Sequence, residues 1–367
     1  MKAICTELGN PQQNYRCIQV GGTNGKSSTS RYLAALLQAS GHSVGLYTSP
    51  ELVSITERIE INGTTIDEES FADAVILVHK TAVEAQISLT EFELITAAAL
   101  LIFAQHEVDF AVLEVGLGGR WDATSVVSPV VAVLTGVDLD HTAILGDTIA
   151  EIAAEKAAII KPSTAAVVAP TDSAALAVFK EEAMKKQARY IEVPSALEPE
   201  CNSYQAQNKL TALTTARELL GSDALTETKA YQVMDNTVIP GRLEIVHTNP
   251  LVIIDAAHNP ASARTLVESY SQPKATLLLA VLADKDASGI IQALAPYFAV
   301  IVVTQTSSSR AIPAHELASL VEQQTGKAPR TFSSPQEALA ELLTQSKPII
   351  ATGSITLAGE VKQLLTD

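Results

Sequence analysis

The chain is poor in basic residues, with 25 lysines and arginines against 41 aspartates and glutamates, which leaves a formal charge of -16. A chain this acidic repels nucleic acid and anionic membrane, so it can hold an anionic ligand only where donors are gathered locally. Cysteine is scarce as well. Cys5, Cys17 and Cys201 are an odd number without metal-ligand spacing, which excludes a cysteine-held metal site and fits a reducing compartment. No signal-peptide core follows Met1, and no apolar run approaches the roughly 18 residues of a membrane helix. Internal repeats and low-complexity tracts are missing too. The expectation is a cytoplasmic monomer with small-molecule partners, no nucleic acid and no membrane. What the chain does have is apolar mass: 47% of its 367 residues are hydrophobic, enough for large cores and two domains.

Strand-like and helix-like runs alternate along the chain, the pattern of a parallel sheet with covering helices. Cys17 to Val20, Ser43 to Ser49, Val108 to Val115, Val130 to Val137 and Thr164 to Ala169 read as strands. Between them lie helical patterns such as EFELITAAALLIFAQH and DTIAEIAAEKAAII. Pro240 and Gly241 interrupt the alternation. A new one opens with LVIIDAAHNP and continues through ATLLLAVL, AVIVVTQ and KPIIATGS. The expected fold is therefore α/β in two domains, residues 1–239 and a smaller 240–367.

The stretch VGGTNGKSST ends like a phosphate loop but is one residue short of G-x-x-x-x-G-K-[ST], since Val20 stands where the first glycine belongs. It still joins an apolar strand to a helical pattern through Tyr32, Leu33, Leu36 and Leu37, with a stop at Gly41. Strand, glycine turn and helix start place free backbone N–H groups and a helix dipole at one point, where phosphate binds. Lys26 adds charge, and Ser27 or Ser28 a hydroxyl suited to Mg²⁺. The alternative is an ordinary strand-to-helix turn.

Polar residues crowd the carboxyl ends of the expected strands, where open parallel sheets bind ligands. Ser49, Glu114 and His141, with Asp138 and Asp140 nearby, would suit Mg²⁺ or Mn²⁺ beside a nucleotide. Singly, each has a plainer reading: a turn serine before Pro50, a carboxylate paired with Arg120, a helix-cap histidine. Lys156 stands among alanines and isoleucines, where a neutral amine could take up carbon dioxide as a carbamate. The residues alone favour instead a lysine paired with Glu151 or Glu155 on a solvated face. In the second domain Asp255 and His258 follow a buried strand, and Arg242 could grip phosphate with its forked donors. An Asp/Asn cap for the next helix explains the former pair equally well.

Taken in order, LGNPQ, GGTNGKSST, LYTSPELVSITERIEING, LTEFELITAAA, LEVGLGGRWDAT, LDHTAILGDTIAEIAAEKA, PGRLEIV, DAAHNP, DKD and TGSITLAGEV resemble the folylpolyglutamate synthase / dihydrofolate synthase family of the Mur ligase superfamily over nearly the whole chain. The superfamily carries the compact G-T-N-G-K loop, which accounts for the missing residue. The resemblance implies an amino-terminal phosphate-loop ATPase-like Mur ligase central domain and a smaller Rossmann-like carboxyl-terminal domain. It implies ATP and Mg²⁺, with Mn²⁺ as a substitute, and an amide bond made between L-glutamate and dihydropteroate or a folate through an acyl phosphate.

By the same resemblance Gly22, Thr23, Asn24, Gly25, Lys26, Ser27 and Ser28 cradle the ATP phosphates, and Asn208, Arg242 and Asp255 complete the nucleotide site. Ser49, Glu114 and His141 are implied metal ligands, and Lys156 the carbamylated lysine. Thr90, Glu91, Phe92 and Glu93, with Trp121, Asp122 and Ala123, match segments that contact the pterin. Lys26, Lys156, Arg242 and His258 are the implied catalytic set.

Several positions depart from the family pattern. Ser27 replaces a glycine, and a positive φ there would strain it. Glu51 replaces a histidine and adds negative charge near a site for anions; Ala158 replaces a glycine, and Ile55 and Thr56 also differ. The amino terminus lies only a few residues before LGNPQ, as in a shortened start. These changes keep two other readings open: a Mur-type ligase for another carboxylate, and a nucleotide-binding protein without catalysis.

Overall fold

The computed structural model describes residues 1–196, 204–270 and 275–366, so Cys201 lies outside the described residues. The chain divides into two compact units, Met1–Thr237 and Val238–Asp367. Each is an α/β unit with its own mostly parallel sheet, as the alternating pattern predicts.

The first unit contains β1 (Arg16–Gly21), β2 (Val44–Tyr47), β3 (Ile59–Ile61), β4 (Thr64–Thr65), β5 (Phe110–Glu114), β6 (Val131–Leu134), β7 (Ala165–Val168) and β8 (Arg189–Glu192). Their order across the sheet is β4-β3-β2-β5-β1-β6-β7-β8, with only β3 and β4 antiparallel to their neighbours. β2, β5, β6 and β7 are buried at every position, the consequence of helices on both faces and the reason they read as unbroken apolar runs. One face packs against helices Glu68–Glu84 and Glu91–Gln105 through Ala98, Leu100, Phe103 and Val78. A second cluster joins helices Ile149–Ala157 and Ser173–Lys186 through Ile152, Ile159 and Phe179.

Two features of this sheet position the site. Central β1 runs beside β5 and β6, with Val20 in register with both Glu114 and Val133, so the loop after β1 emerges between Glu114 and the turn after Leu134. Helix Lys26–Ala39 then leaves that loop and packs along helix Tyr204–Leu220.

The second unit contains β9 (Glu244–Thr248), β10 (Leu251–Ile254), β11 (Thr276–Leu279), β12 (Val300–Val303), β13 (Arg330–Thr331) and β14 (Ile349–Thr352). The order is β13-β12-β11-β14-β10-β9, with β9 antiparallel on the edge. Its core gathers Leu277, Leu279, Ile290, Leu317 and Ile350. Asp255 leaves the end of β10, its N–H bonded to Ala351 O at 3.0 Å.

Candidate active site

The turn after β1 is shaped by two glycines. Gly22 has φ 154, and a Cβ there would sit 1.7 Å from Thr135 Oγ1; Gly25, at φ 84, caps helix Lys26–Ala39 from the left-handed region. The turn is stitched to the loop after β6. Thr23 N donates to Gly136 O at 2.8 Å, Thr23 Oγ1 donates to Asp138 O at 3.2 Å, and Asn24 Nδ2 donates to Asp138 Oδ2 at 3.1 Å. Thr135 Oγ1 in turn donates to Asn24 O at 2.7 Å. These bonds hold the loop open without using the first N–H groups of the helix, which have no partner within the helix itself. Lys26 Nζ bonds Thr23 O at 3.1 Å, bringing its charge back over the loop. The result is an anion cradle.

The back of the cradle is braced by helix Tyr204–Leu220. Buried Asn208 accepts from Thr29 Oγ1 at 3.5 Å and donates to Gln205 Oε1 at 3.3 Å, while Gln205 Nε2 donates to Ser28 Oγ at 3.5 Å. Gln205 is a member of this brace that the sequence reading did not single out. Its only signal was its place three residues before Asn208.

Ser27 lies inside the helix rather than in the left-handed region, so the strain expected at that position does not arise. Its hydroxyl donates to Glu114 Oε1 at 2.8 Å, and Ser49 N donates to Glu114 Oε2 at 3.2 Å. Glu114 is 1% exposed, and burial raises its pKa against the opposing pull of Lys26, Ser27 and Ser49. It does not pair with Arg120, whose Nε bonds Glu155 Oε1 at 2.9 Å instead. Among the described residues no three His, Cys, Asp or Glu side chains group as a self-sufficient metal site. One buried carboxylate that carries a serine hydroxyl, beside an anion cradle, nevertheless fits Mg²⁺, which keeps several waters and takes one or two carboxylates plus substrate phosphates. His141 is placed differently: it sits at φ 51 before the short helix Thr142–Leu145, half-exposed, with Nε2 3.9 Å from Asp140 Oδ1.

Lys156 is not on a solvated face. It is 4% exposed, and its Nζ donates to Gly22 O at 2.9 Å, while Glu155 pairs with Arg120 and Glu151 caps its own helix at Thr148. Burial, then repulsion from Lys26, lowers its pKa from 10.5 to about 7, with Asp140 opposing. Near pH 7 the protonated and neutral forms of this amine would therefore coexist, beside the glycine turn.

The segments matched to pterin contacts carry structural work of their own. Thr90 and Glu93 form a reciprocal capping box on helix Glu91–Gln105, and Glu93 Oε1 also meets the Met1 amino group at 3.3 Å. Glu91 is an exposed first-turn residue, and the Phe92 ring lies 6.1 Å from that of Tyr47. Asp122 Oδ2 accepts from Gly116 N and Leu117 N at 3.0 Å each, folding the loop after β5, and Ala123 is buried beneath it. Trp121, beside them, is 89% exposed. Glu51, expected to add negative charge, is ion-paired with Arg58, whose side chain is largely buried.

In the second unit Asn259, not Asp255, caps the next helix, Pro260–Ser269, sharing a capping box with Ser262. Asp255 instead orders the loops around it: Oδ2 accepts from Leu243 N at 3.0 Å and Oδ1 from Ala257 N at 2.9 Å. Arg242 Nη1 lies 4.0 Å from Asp255 Oδ1 and opposes the rise in pKa that burial imposes on this carboxyl. His258 Nδ1 is 2.9 Å from Ala256 O, a carbonyl that can only accept, so the ring hydrogen sits on Nδ1 and the lone pair of the neutral ring on Nε2.

A compact G-T-N-G-K cradle on one mostly parallel sheet, followed by a second α/β unit, defines a Mur ligase: residues 20–245 match the Mur ligase middle domain and residues 241–355 the Mur ligase, glutamate ligase domain. The chain is 38% identical over 400 residues to the folylpolyglutamate synthase of Lacticaseibacillus casei, covering 98% of this chain and 92% of that one. The Mycobacterium tuberculosis folylpolyglutamate synthase complexed with ADP and AMPPCP superposes with a TM-score of 0.91 at 32% identity, over 100% of this chain and 94% of that one. A bifunctional folylpolyglutamate synthase/dihydrofolate synthase from Yersinia pestis, complexed with AMPPNP and Mn ion, does so with a TM-score of 0.86 at 28% identity, over 99% and 92%. The chain belongs to the folylpolyglutamate synthase / dihydrofolate synthase family, a family of ATP-dependent ligases.

Proposed function

We propose that this chain is an ATP-dependent ligase that forms an amide bond between L-glutamate and dihydropteroate, the terminal glutamate of tetrahydrofolate, or both. The observation that carries the reading is the glycine cradle of residues 22–25 with Lys26, set beside buried Glu114 and Lys156 in a chain that matches the family along its whole length. The two departures that favoured another substrate lose their force, since Ser27 is unstrained and Glu51 is paired.

The substrate carboxylate attacks the γ-phosphorus of ATP; one P–O bond forms as the bond to the β-phosphate oxygen breaks, and ADP leaves with the electron pair. The amine of L-glutamate then attacks the acyl carbon, loses a proton, and phosphate departs. Loop N–H groups and Lys26 meet the charge that moves between phosphoryl oxygens, so the cradle works by position and electrostatics rather than by a covalent nucleophile. Mg²⁺ or Mn²⁺, when bound, supplies Lewis-acid neutralisation of the phosphates. Glu114, Ser49 and His141 are the residues proposed to hold it, with a carbamate on Lys156. That carbamate forms when the Lys156 lone pair attacks carbon dioxide and the nitrogen gives its proton to water. Arg242 and Asp255 are proposed as further nucleotide contacts and His258 as a phosphate-facing histidine. Phe92 and Trp121 are proposed to border the pterin.

Phosphate release tests the reading, measured with ATP, glutamate and either dihydropteroate or tetrahydrofolate. Release with one or both acceptors is expected. Lys26→Ala is expected to lower it by about a hundredfold or more, the size of effect seen when one transition-state charge donor is removed. ATP binding without release under every acceptor would make the chain a nucleotide-binding protein only.

A further inference from the structure

Ser27 is where this chain departs from the glycine of the family pattern, and its hydroxyl makes a bond that glycine cannot. Resting on the ATP and divalent-cation reading above, we propose that Ser27 is a positioning residue, whose hydroxyl fixes the Glu114 carboxylate for the cation that accompanies the nucleotide. Both ends of the bond are anchored. Ser27 occupies the first turn of helix Lys26–Ala39, so its Cα is set by the same backbone that forms the cradle. Glu114 ends β5 opposite Val20, the residue that leads into that cradle.

The carboxylate receives one donor on each oxygen: Ser27 Oγ at 2.8 Å on Oε1 and Ser49 N at 3.2 Å on Oε2. A carboxylate held at both oxygens cannot turn about its last carbon–carbon bond, and each oxygen keeps a lone pair for a cation. With glycine at position 27 only the Ser49 bond would remain, and the group could rotate. The hydroxyl is also separable from the cradle itself, because the phosphate donors are backbone N–H groups that any residue at 27 supplies. Ser27 thus acts on the cation through Glu114, not on the phosphates.

The test measures AMPPNP affinity with and without Mn²⁺ in the intact protein, so that the ratio reports cation coupling rather than turnover. Ser27→Ala is expected to cut the Mn²⁺-dependent gain by about tenfold to a hundredfold, the worth of one hydrogen bond to a charged group. Ser27→Thr, which keeps the hydroxyl, is expected to restore the gain. In a Glu114→Gln background Ser27→Ala is expected to have no further effect. An equal loss in that background would mean that the hydroxyl meets the cation directly, and would overturn the proposal. So would an unchanged gain in Ser27→Ala, or a loss of the same size without Mn²⁺. A wild-type protein whose AMPPNP affinity ignores Mn²⁺ overturns the cation site itself, and the proposal with it.

Discussion

Lys156→Met is expected to lower ATP-dependent phosphate release by about a hundredfold to a thousandfold, comparable to deleting a preorganised electrostatic contact, while leaving the protein folded. The side chain is buried beside the cradle with Nζ on Gly22 O, and methionine fills similar apolar volume without the amine. The pH dependence follows from the sign of the shift. Carbamate formation requires the neutral amine; with a pKa of about 7, roughly a tenth is neutral near pH 6 and about nine-tenths near pH 8. Wild-type activity should therefore rise through neutrality and respond to added bicarbonate, and the variant should do neither. Stability has its own signature. In carbon dioxide-free buffer the unfolded chain keeps the Lys156 proton up to its ordinary value of 10.5, whereas the folded chain gives it up near 7. Between those values the unfolded state binds more protons, so stability climbs with pH. Urea melts of Lys156→Met should lack that component. A variant with near-normal turnover would remove Lys156 from the chemistry.

Gly25→Ala should be the second severe lesion. The residue sits at φ 84, where a Cβ costs about 1 kcal/mol or more, and that Cβ would stand 2.5 Å from Asn208 Oδ1 and 2.8 Å from Tyr204 Oη. Asn208 cannot retreat without cost. It is buried and bonded to Thr29 and Gln205, the brace behind the cradle. The loop must move instead, and a displacement of even about 1 Å at a phosphoryl-transfer site can cost about a hundredfold. AMPPNP affinity and phosphate release are both expected to fall steeply, with circular dichroism unchanged. Normal nucleotide affinity in Gly25→Ala would show that the cradle tolerates a side chain at this point.

Which parts of this molecule were readable in advance follows from how local their causes are. β5, β6 and β7 are buried on both faces, so their sequences are continuous apolar runs bounded by turns. β8 and β9 lie at sheet edges with mixed exposure, and their polar residues hid them. The hairpin of β3 and β4 carried a usable signal, the Asn62–Gly63 pair with both residues at positive φ, which passed unread inside a longer motif. The cradle was legible because its glycines, lysine and helix start are contiguous. The partners of Glu114 and Lys156 were not. Ser27 reaches Glu114 across 87 positions and Lys156 reaches Gly22 across 134, and no local sequence pattern announces bonds of that span. Thr90 and Glu93 show the converse, since their capping box is visible in sequence as T-x-x-E and explains both residues before any ligand is considered.

The loop folded by Asp122 lifts the chain's single tryptophan almost wholly into solvent. Indole emission from this protein therefore reports one place only, next to the segment proposed to receive the pterin. Arrival of a pteridine ring should dim and blue-shift that signal, so substrate titrations need no attached dye. Trp121→Phe provides the matched blank.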